Sequence, residues 1–177
     1  AWRQKRVFGI ARGVDLMLTL FPFEADFYKE HQVPVVCVGH PLADNIPVED
    51  TKESARAGLG LAAGKKYLAI LPGSRQSEVE KLIVSFLAAA RLLKESHPEL
   101  EFLIPAANSA RKQQIEPHLQ NYTDLKVHLS LENSHQVMAA ADAVLIASGT
   151  TTLEALLLKR PMVIAYRVAW LSYKILK

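Results

Sequence analysis

The sequence predicts an α/β protein built on a doubly wound parallel sheet. Short, continuous apolar runs, of which Tyr67 to Leu71 is the clearest, have the length and character of parallel strands covered on both faces. Between such runs lie segments with apolar residues at helical spacing, as at Val79, Leu82, Ile83, Phe86, Leu87, Ala90 and Leu93. Strand and helix alternate through short loops along the whole chain, and ligands of such sheets bind at the carboxyl ends of the strands.

The elements follow in order. Trp2 to Arg12 sets Val7, Phe8, Ile10 and Ala11 among basic residues. This pattern suits a helix packed on its own domain, and is compatible with one lying near a membrane surface. Asp15 to Leu20 reads as a strand stopped by Phe21-Pro22, Phe23 to His31 as a short helix, and Val33 to Val38 as a second strand ended by Gly39-His40-Pro41. From Pro41 to Thr51 the composition turns to Pro, Asp and Asn without periodicity, which predicts a linker. Glu49 to Leu59 is a modest helix. The segment Gly58 to Ala63 fits G-x-G-x-x-A, but it follows a helix and precedes a strand, the reverse of the dinucleotide fingerprint, so it reads as a helix stop and loop. After the strand Tyr67 to Leu71, Pro72-Gly73 makes a turn, Ser74 is placed to cap the next helix, and that helix runs to His97-Pro98. The remaining strands are Glu101 to Ile104, Leu125 to Leu129, Ala143 to Ala147 and Pro161 to Ala165. They alternate with helices at Ser109 to Leu119, Ser134 to Ala141 and Leu153 to Leu158, and a helical pattern closes the chain at Lys177.

Composition excludes several classes. Half of the 177 residues are hydrophobic, enough for a real core, and the net charge of +3 is no nucleic-acid signature. No apolar run is long enough to cross a bilayer, and the N-terminus lacks the hydrophobic segment of a signal peptide. A single cysteine, Cys37, suits a reducing compartment, so a cytoplasmic location is expected. No His or Cys has the spacing of a metal site.

Two loops carry chemistry. In Gly73-Ser74-Arg75 with Glu78, glycine permits close backbone approach, the helix N-terminus offers N–H donors and Arg75 supplies charge for an anion. The lysine and spacing of a nucleoside-triphosphatase loop are absent. In Ser148-Gly149-Thr150-Thr151-Thr152-Leu153-Glu154, small hydroxyl residues favour a loop that exposes N–H groups. Glu154 then falls about one turn into the helix, where a carboxylate can accept ribose hydroxyls. Taken singly, each also reads as an ordinary helix cap. Together, after separate strands of one sheet, they suit a nucleoside diphosphate.

These residues also resemble a family. Ala-Trp-Arg-Gln-Lys-Arg at the start, Leu-Phe-Pro-Phe-Glu at 20–24, Val-Gly-His-Pro-Leu-Ala-Asp at 38–44, Leu-Pro-Gly-Ser-Arg with Ser-Glu-Val at 71–79, and Ala-Ser-Gly-Thr with Thr-Leu-Glu at 147–154 resemble the lipid-A-disaccharide synthases. The resemblance implies an inverting, metal-independent glycosyltransferase of the B type, with two Rossmann-like domains facing across a cleft. It implies transfer of 2,3-diacylglucosamine from its UDP conjugate to 2,3-diacylglucosamine 1-phosphate, without a cofactor, peripherally at the cytosolic face of the inner membrane. Residues 1–40 are then the tail of the N-terminal domain, 41–50 the hinge and 51–177 most of the UDP-binding domain, so the sheet is expected to be incomplete at both ends. UDP contacts carry over to Gly73, Ser74, Arg75, Glu78, Ser148, Gly149, Thr150 and Glu154. Tyr166-Arg167 match a family Tyr-Arg of unassigned role. No catalytic base is named, since the acceptor-binding part lies outside the chain, and the piece alone is expected to bind UDP weakly without transfer. In the family the C-terminal segment is exchanged between protomers, so a homodimer belongs to the intact protein. A UDP-sugar epimerase or hydrolase on the same scaffold, or a non-catalytic nucleotide-binding domain, would share these contacts.

Overall fold

The computed structural model describes residues 4–49 and 51–167. The chain separates into two compact units, residues 1–46 and 47–177. In the smaller unit a short 3-10 turn, Gln4–Arg6, leads into α1 (Val7–Gly13). Two parallel strands follow, β1 (Met17–Thr19) and β2 (Val35–Cys37), with α2 (Pro22–Glu30) between them. Pro22 at the first helical position and Glu24, whose carboxylate accepts from the amide of Phe21 at 3.1 Å, start α2. The expected linker holds a helical turn, α3 (Pro41–Asn45). A ring nitrogen of His40 accepts from the Leu42 amide at 3.1 Å, a side-chain cap that the lack of periodicity conceals.

The larger unit carries a five-stranded sheet in the order β5-β4-β3-β6-β7, every neighbouring pair parallel. Its strands are β3 (Tyr67–Leu71), β4 (Glu101–Ala106), β5 (Val127–Leu131), β6 (Ala143–Ala147) and β7 (Met162–Ala165). The helices are α4 (Lys52–Gly58), α5 (Gln76–Ser96), α6 (Ser109–Leu119), α7 (Ser134–Ala140) and α8 (Thr151–Leu157). All five residues of β3 are buried, as a central strand covered on both faces requires. From β3 the chain winds outward through β4 to β5, then returns to lay β6 on the other side of β3. The switch point therefore falls between β3 and β6, in register at Leu71 and Ile146.

Residues Val79, Leu82, Ile83, Phe86, Leu87 and Ala90 form the buried stripe of α5. They join Ile70, Phe102, Ile104 and Ile115 in one core, each full side chain worth roughly 1.5–3 kcal/mol of burial. Three expectations shift. β4 runs on through Pro105 to Ala106, and β5 starts at Val127 rather than Leu125, in register with Phe102. α8 starts at Thr151, two residues early, because the Thr152 hydroxyl donates to the Gly149 carbonyl at 2.6 Å and the threonines enter the helix. The helical pattern expected toward Lys177 lies outside the described residues beyond 167, as does the start of the Trp2 segment.

Candidate functional site

Because β3 and β6 are adjacent, the loops that leave them emerge side by side at the carboxyl edge of the sheet. A cavity of about 420 Å³ opens there. One wall is Gly73, Ser74, Arg75 and Glu78, and the facing wall is Ser148, Gly149, Thr150 and Thr151. Glu154 is half-buried in the first turn of α8 and is not among the lining residues.

The first wall is organised by Glu78. Arg75 sits at the N-cap of α5, so Ser74 does not cap the helix as the sequence suggests. One oxygen of the Glu78 carboxylate accepts from the amides of Ser74 at 3.1 Å and Arg75 at 3.2 Å, and the other accepts from the Arg75 guanidinium at 2.9 Å. The pair is asymmetric: the Arg75 side chain is 80% exposed and that of Glu78 18%. Gly73 makes this packing possible. It adopts φ +119°, and a Cβ there would lie 2.5 Å from the Glu78 Cβ. With two loop amides already engaged, the donors left for an anion on this wall are the first amides of α5, which have no helical carbonyl partner, and the outward Arg75 fork.

At the second wall the Ser148 amide donates to the Ala165 carbonyl at 3.0 Å, tying the loop to β7. Thr152 and Leu153 already donate to Gly149 and Thr150, so the loop proper is only Ser148 to Thr150.

A third wall escapes the sequence reading. Glu132, Asn133 and Ser134 line the cavity between β5 and α7, with Pro105 and Ala106 at the end of β4. Glu132 and Asn133 both take left-handed backbone, φ 59° and 61°, and the Glu132 amide donates to the Ala106 carbonyl at 2.7 Å. A turn made without glycine leaves no glycine in the sequence to betray it.

Two ion-paired clusters support the opposite edge of the sheet. Asp142 accepts from the Tyr67 amide at 2.8 Å, Arg56 at 2.9 Å and Lys52 at 3.1 Å, joining α4, β3 and β6. Burial pushes its carboxyl up, but these donors outweigh burial and hold it below the usual range. Glu101 accepts from His128 at 2.8 Å and Lys126 at 3.0 Å, with Lys65 at 3.3 Å. There too burial raises the value and the three partners overcome it, bringing the carboxyl down to about 2.

Residues 1–177 match the sequence profile of a family described as lipid-A-disaccharide synthetase. The chain belongs to that family. A lipid-A-disaccharide synthase from Pseudomonas aeruginosa is 58% identical over 177 residues, covering 100% of this chain and 47% of the relative. One from Cellvibrio japonicus is 55% identical, covering 99% and 46%. The chain therefore spans about half the length of the curated synthases it matches. Among solved structures, UDP-GlcNAc 2-epimerase from Neisseria meningitidis, bound to UDP-GlcNAc, shares the fold with a TM-score of 0.58 at 16% identity, over 86% of this chain and 44% of that one. The pneumococcal O-GlcNAc transferase GtfA, in complex with UDP and GlcNAc, gives 0.52 at 19% identity, over 90% and 31%. The chain thus shares its α/β fold with both of these proteins. No helix among the described residues is long and apolar enough to cross a membrane.

Proposed function

We propose that this chain supplies the donor-nucleotide site of an enzyme that transfers 2,3-diacylglucosamine from UDP to 2,3-diacylglucosamine 1-phosphate. The observation that carries the reading is the cavity at the switch point, walled by Gly73 to Glu78 and Ser148 to Thr151. Its volume of about 420 Å³ is within the ordinary range for a small-molecule site. The diphosphate lies between the walls, against the α5 amides and Arg75, with the amides of the Ser148 loop opposite. Glu154, in the first turn of α8, takes the ribose hydroxyls. Glu78 holds Ser74 and Arg75 in place from behind.

The acceptor hydroxyl attacks the anomeric carbon on the face opposite UDP. The new glycosidic bond forms as the bond to the diphosphate oxygen breaks, inverting the carbon. The hydroxyl proton passes to a base supplied from outside this chain. Arg75 and the helix dipole stabilise the charge gathering on the departing diphosphate, an interaction that strengthens in the transition state. Residues 1–40 belong to the acceptor-side domain and 41–50 form the hinge. The acylated substrates and the basic start of the chain, Arg3, Lys5, Arg6 and Arg12, support work at the cytosolic membrane surface, with a homodimer in the intact protein.

The test is Arg75→Ala and Glu154→Ala in the full-length enzyme. Calorimetry with UDP is expected to show affinity at least about tenfold weaker in each, and turnover to fall further in the arginine variant. Unchanged UDP affinity and turnover in both would sink the assignment.

A further inference from the structure

We propose that a second, smaller pocket beside the nucleotide cavity binds the phosphate monoester of the acceptor. Resting on the donor-site reading above, this gives Tyr166 and Arg167 a place in the chemistry. The pocket, of about 90 Å³, has Leu82 in its lining and otherwise Arg75, Ser77, Glu78, Lys81, Tyr166 and Arg167. Arg75 is the N-cap of α5, Ser77, Glu78 and Lys81 lie in its first turns, and Tyr166 and Arg167 directly follow β7, so the pocket opens at the same carboxyl edge as the main cavity. Its charge balance is three cations to one carboxylate, and that carboxylate, Glu78, is already paired with Arg75 at 2.9 Å. Among the described residues neither Lys81 nor Arg167 has a carboxylate partner, so the pocket carries uncompensated positive charge.

Size and donor chemistry together point to the ligand. A pocket of about 90 Å³ is well below the several hundred Å³ of an ordinary ligand site and is of a size for a phosphate group. A guanidinium fork from Arg167, the point charge of Lys81 and the Ser77 hydroxyl form a donor set matched to phosphate oxygens. The Tyr166 ring, 62% exposed, stands at the rim, where the sugar bearing the phosphate would rest. Arg75 and Glu78 line both spaces. The Arg75 cation is thus placed between the donor's diphosphate and the acceptor's phosphate, offsetting their repulsion as the two substrates approach.

The experiment uses the full-length enzyme in neutral detergent micelles, comparing wild type with a Lys81→Ala, Arg167→Ala double variant. The acceptor is offered with and without its 1-phosphate. The expected result is a rise of about tenfold or more in KM for the phosphorylated acceptor with donor KM unchanged, and loss of the wild-type preference for that acceptor by the same factor. Arg167→Gln alone, at an exposed position, repeats the test with little risk to folding and should carry part of the effect. If donor KM or UDP affinity moves instead, the pocket serves the donor, and the proposal is overturned. It is overturned equally if no KM moves, or if only binding to phosphatidylglycerol vesicles falls, which would assign the pocket to a lipid headgroup. Failure of the donor-site reading shows separately, as absence of UDP binding by the wild type in calorimetry.

Discussion

Replacing Glu101 with Gln tests the electrostatics of the sheet edge opposite the cavity. The Glu101 side chain is only 4% exposed, yet it stays ionised because His128, Lys126 and Lys65 converge on its two oxygens. A carboxyl that titrates at about 2 instead of 4.5 is worth about 3 kcal/mol of stability at neutral pH, each pH unit counting ~1.4 kcal/mol. Its folded value is depressed, so the contribution is complete above the unfolded value near 4.5 and drains away as pH falls toward 2. Gln keeps the shape and loses the charge, leaving two lysines and a histidine facing one another. Urea unfolding of the variant at pH 7 should show a loss of about 3 kcal/mol, or somewhat less where Lys126 and Lys65 relax into solvent. The gap between wild type and variant should narrow steadily from pH 4.5 to pH 2.5. A loss under about 1 kcal/mol at pH 7, or a gap that stays constant across that range, would refute the reasoning.

The remaining predictions concern neighbouring parts. Gly73→Ala forces a side chain into left-handed backbone and onto Glu78, so it should cost about 2 kcal/mol or more in unfolding experiments and weaken UDP binding at least about tenfold. Asp142→Ala removes the nearer carboxylate from the buried Arg56, leaving it the Ala140 carbonyl at 2.9 Å and the exposed Glu53 at 3.6 Å. Denaturation should show a loss of about 3 kcal/mol, with UDP affinity at saturating stability little changed, since the cluster lies away from the cavity. UDP titration of Arg75→Ala and Glu154→Ala checks the donor site. Acceptor kinetics of the Lys81, Arg167 double variant check the second pocket.

What the sequence discloses depends on how local the cause is. β3, β6 and α6 run between the residues that pattern alone assigns, because a continuous apolar run or a capping Asn108, whose side chain accepts from the Arg111 amide at 3.0 Å, is a local signal. That the two loops leave separate strands of one sheet is legible too, but the adjacency of β3 and β6, which sets the switch point, is a long-range property that no local pattern carries. The start of α8 was not legible, because a single hydrogen bond from Thr152 overrides the poor helix propensity of threonine. Arg56 and Asp142 stand 86 residues apart, and Glu101 and His128 27 apart, so no motif links them. Tyr166 and Arg167 likewise gain meaning only when β7 sets them down beside α5.

Gly73 and Glu78 constrain each other's substitution. The glycine leaves the volume that the carboxylate fills, and the carboxylate satisfies amides that the glycine's turn exposes. A larger residue at one position is tolerable only after the other has shortened, and a shortened Glu78 leaves bare N–H groups that disfavour that first step. The two positions are therefore energetically coupled, and a double-mutant cycle across them should be strongly non-additive. Arg75, held by the same carboxylate but reaching into solvent, is the member of the trio whose side chain can be replaced with least disturbance to the loop, so a substitution there alters the charge met by a ligand while the Gly73–Glu78 packing stays in place.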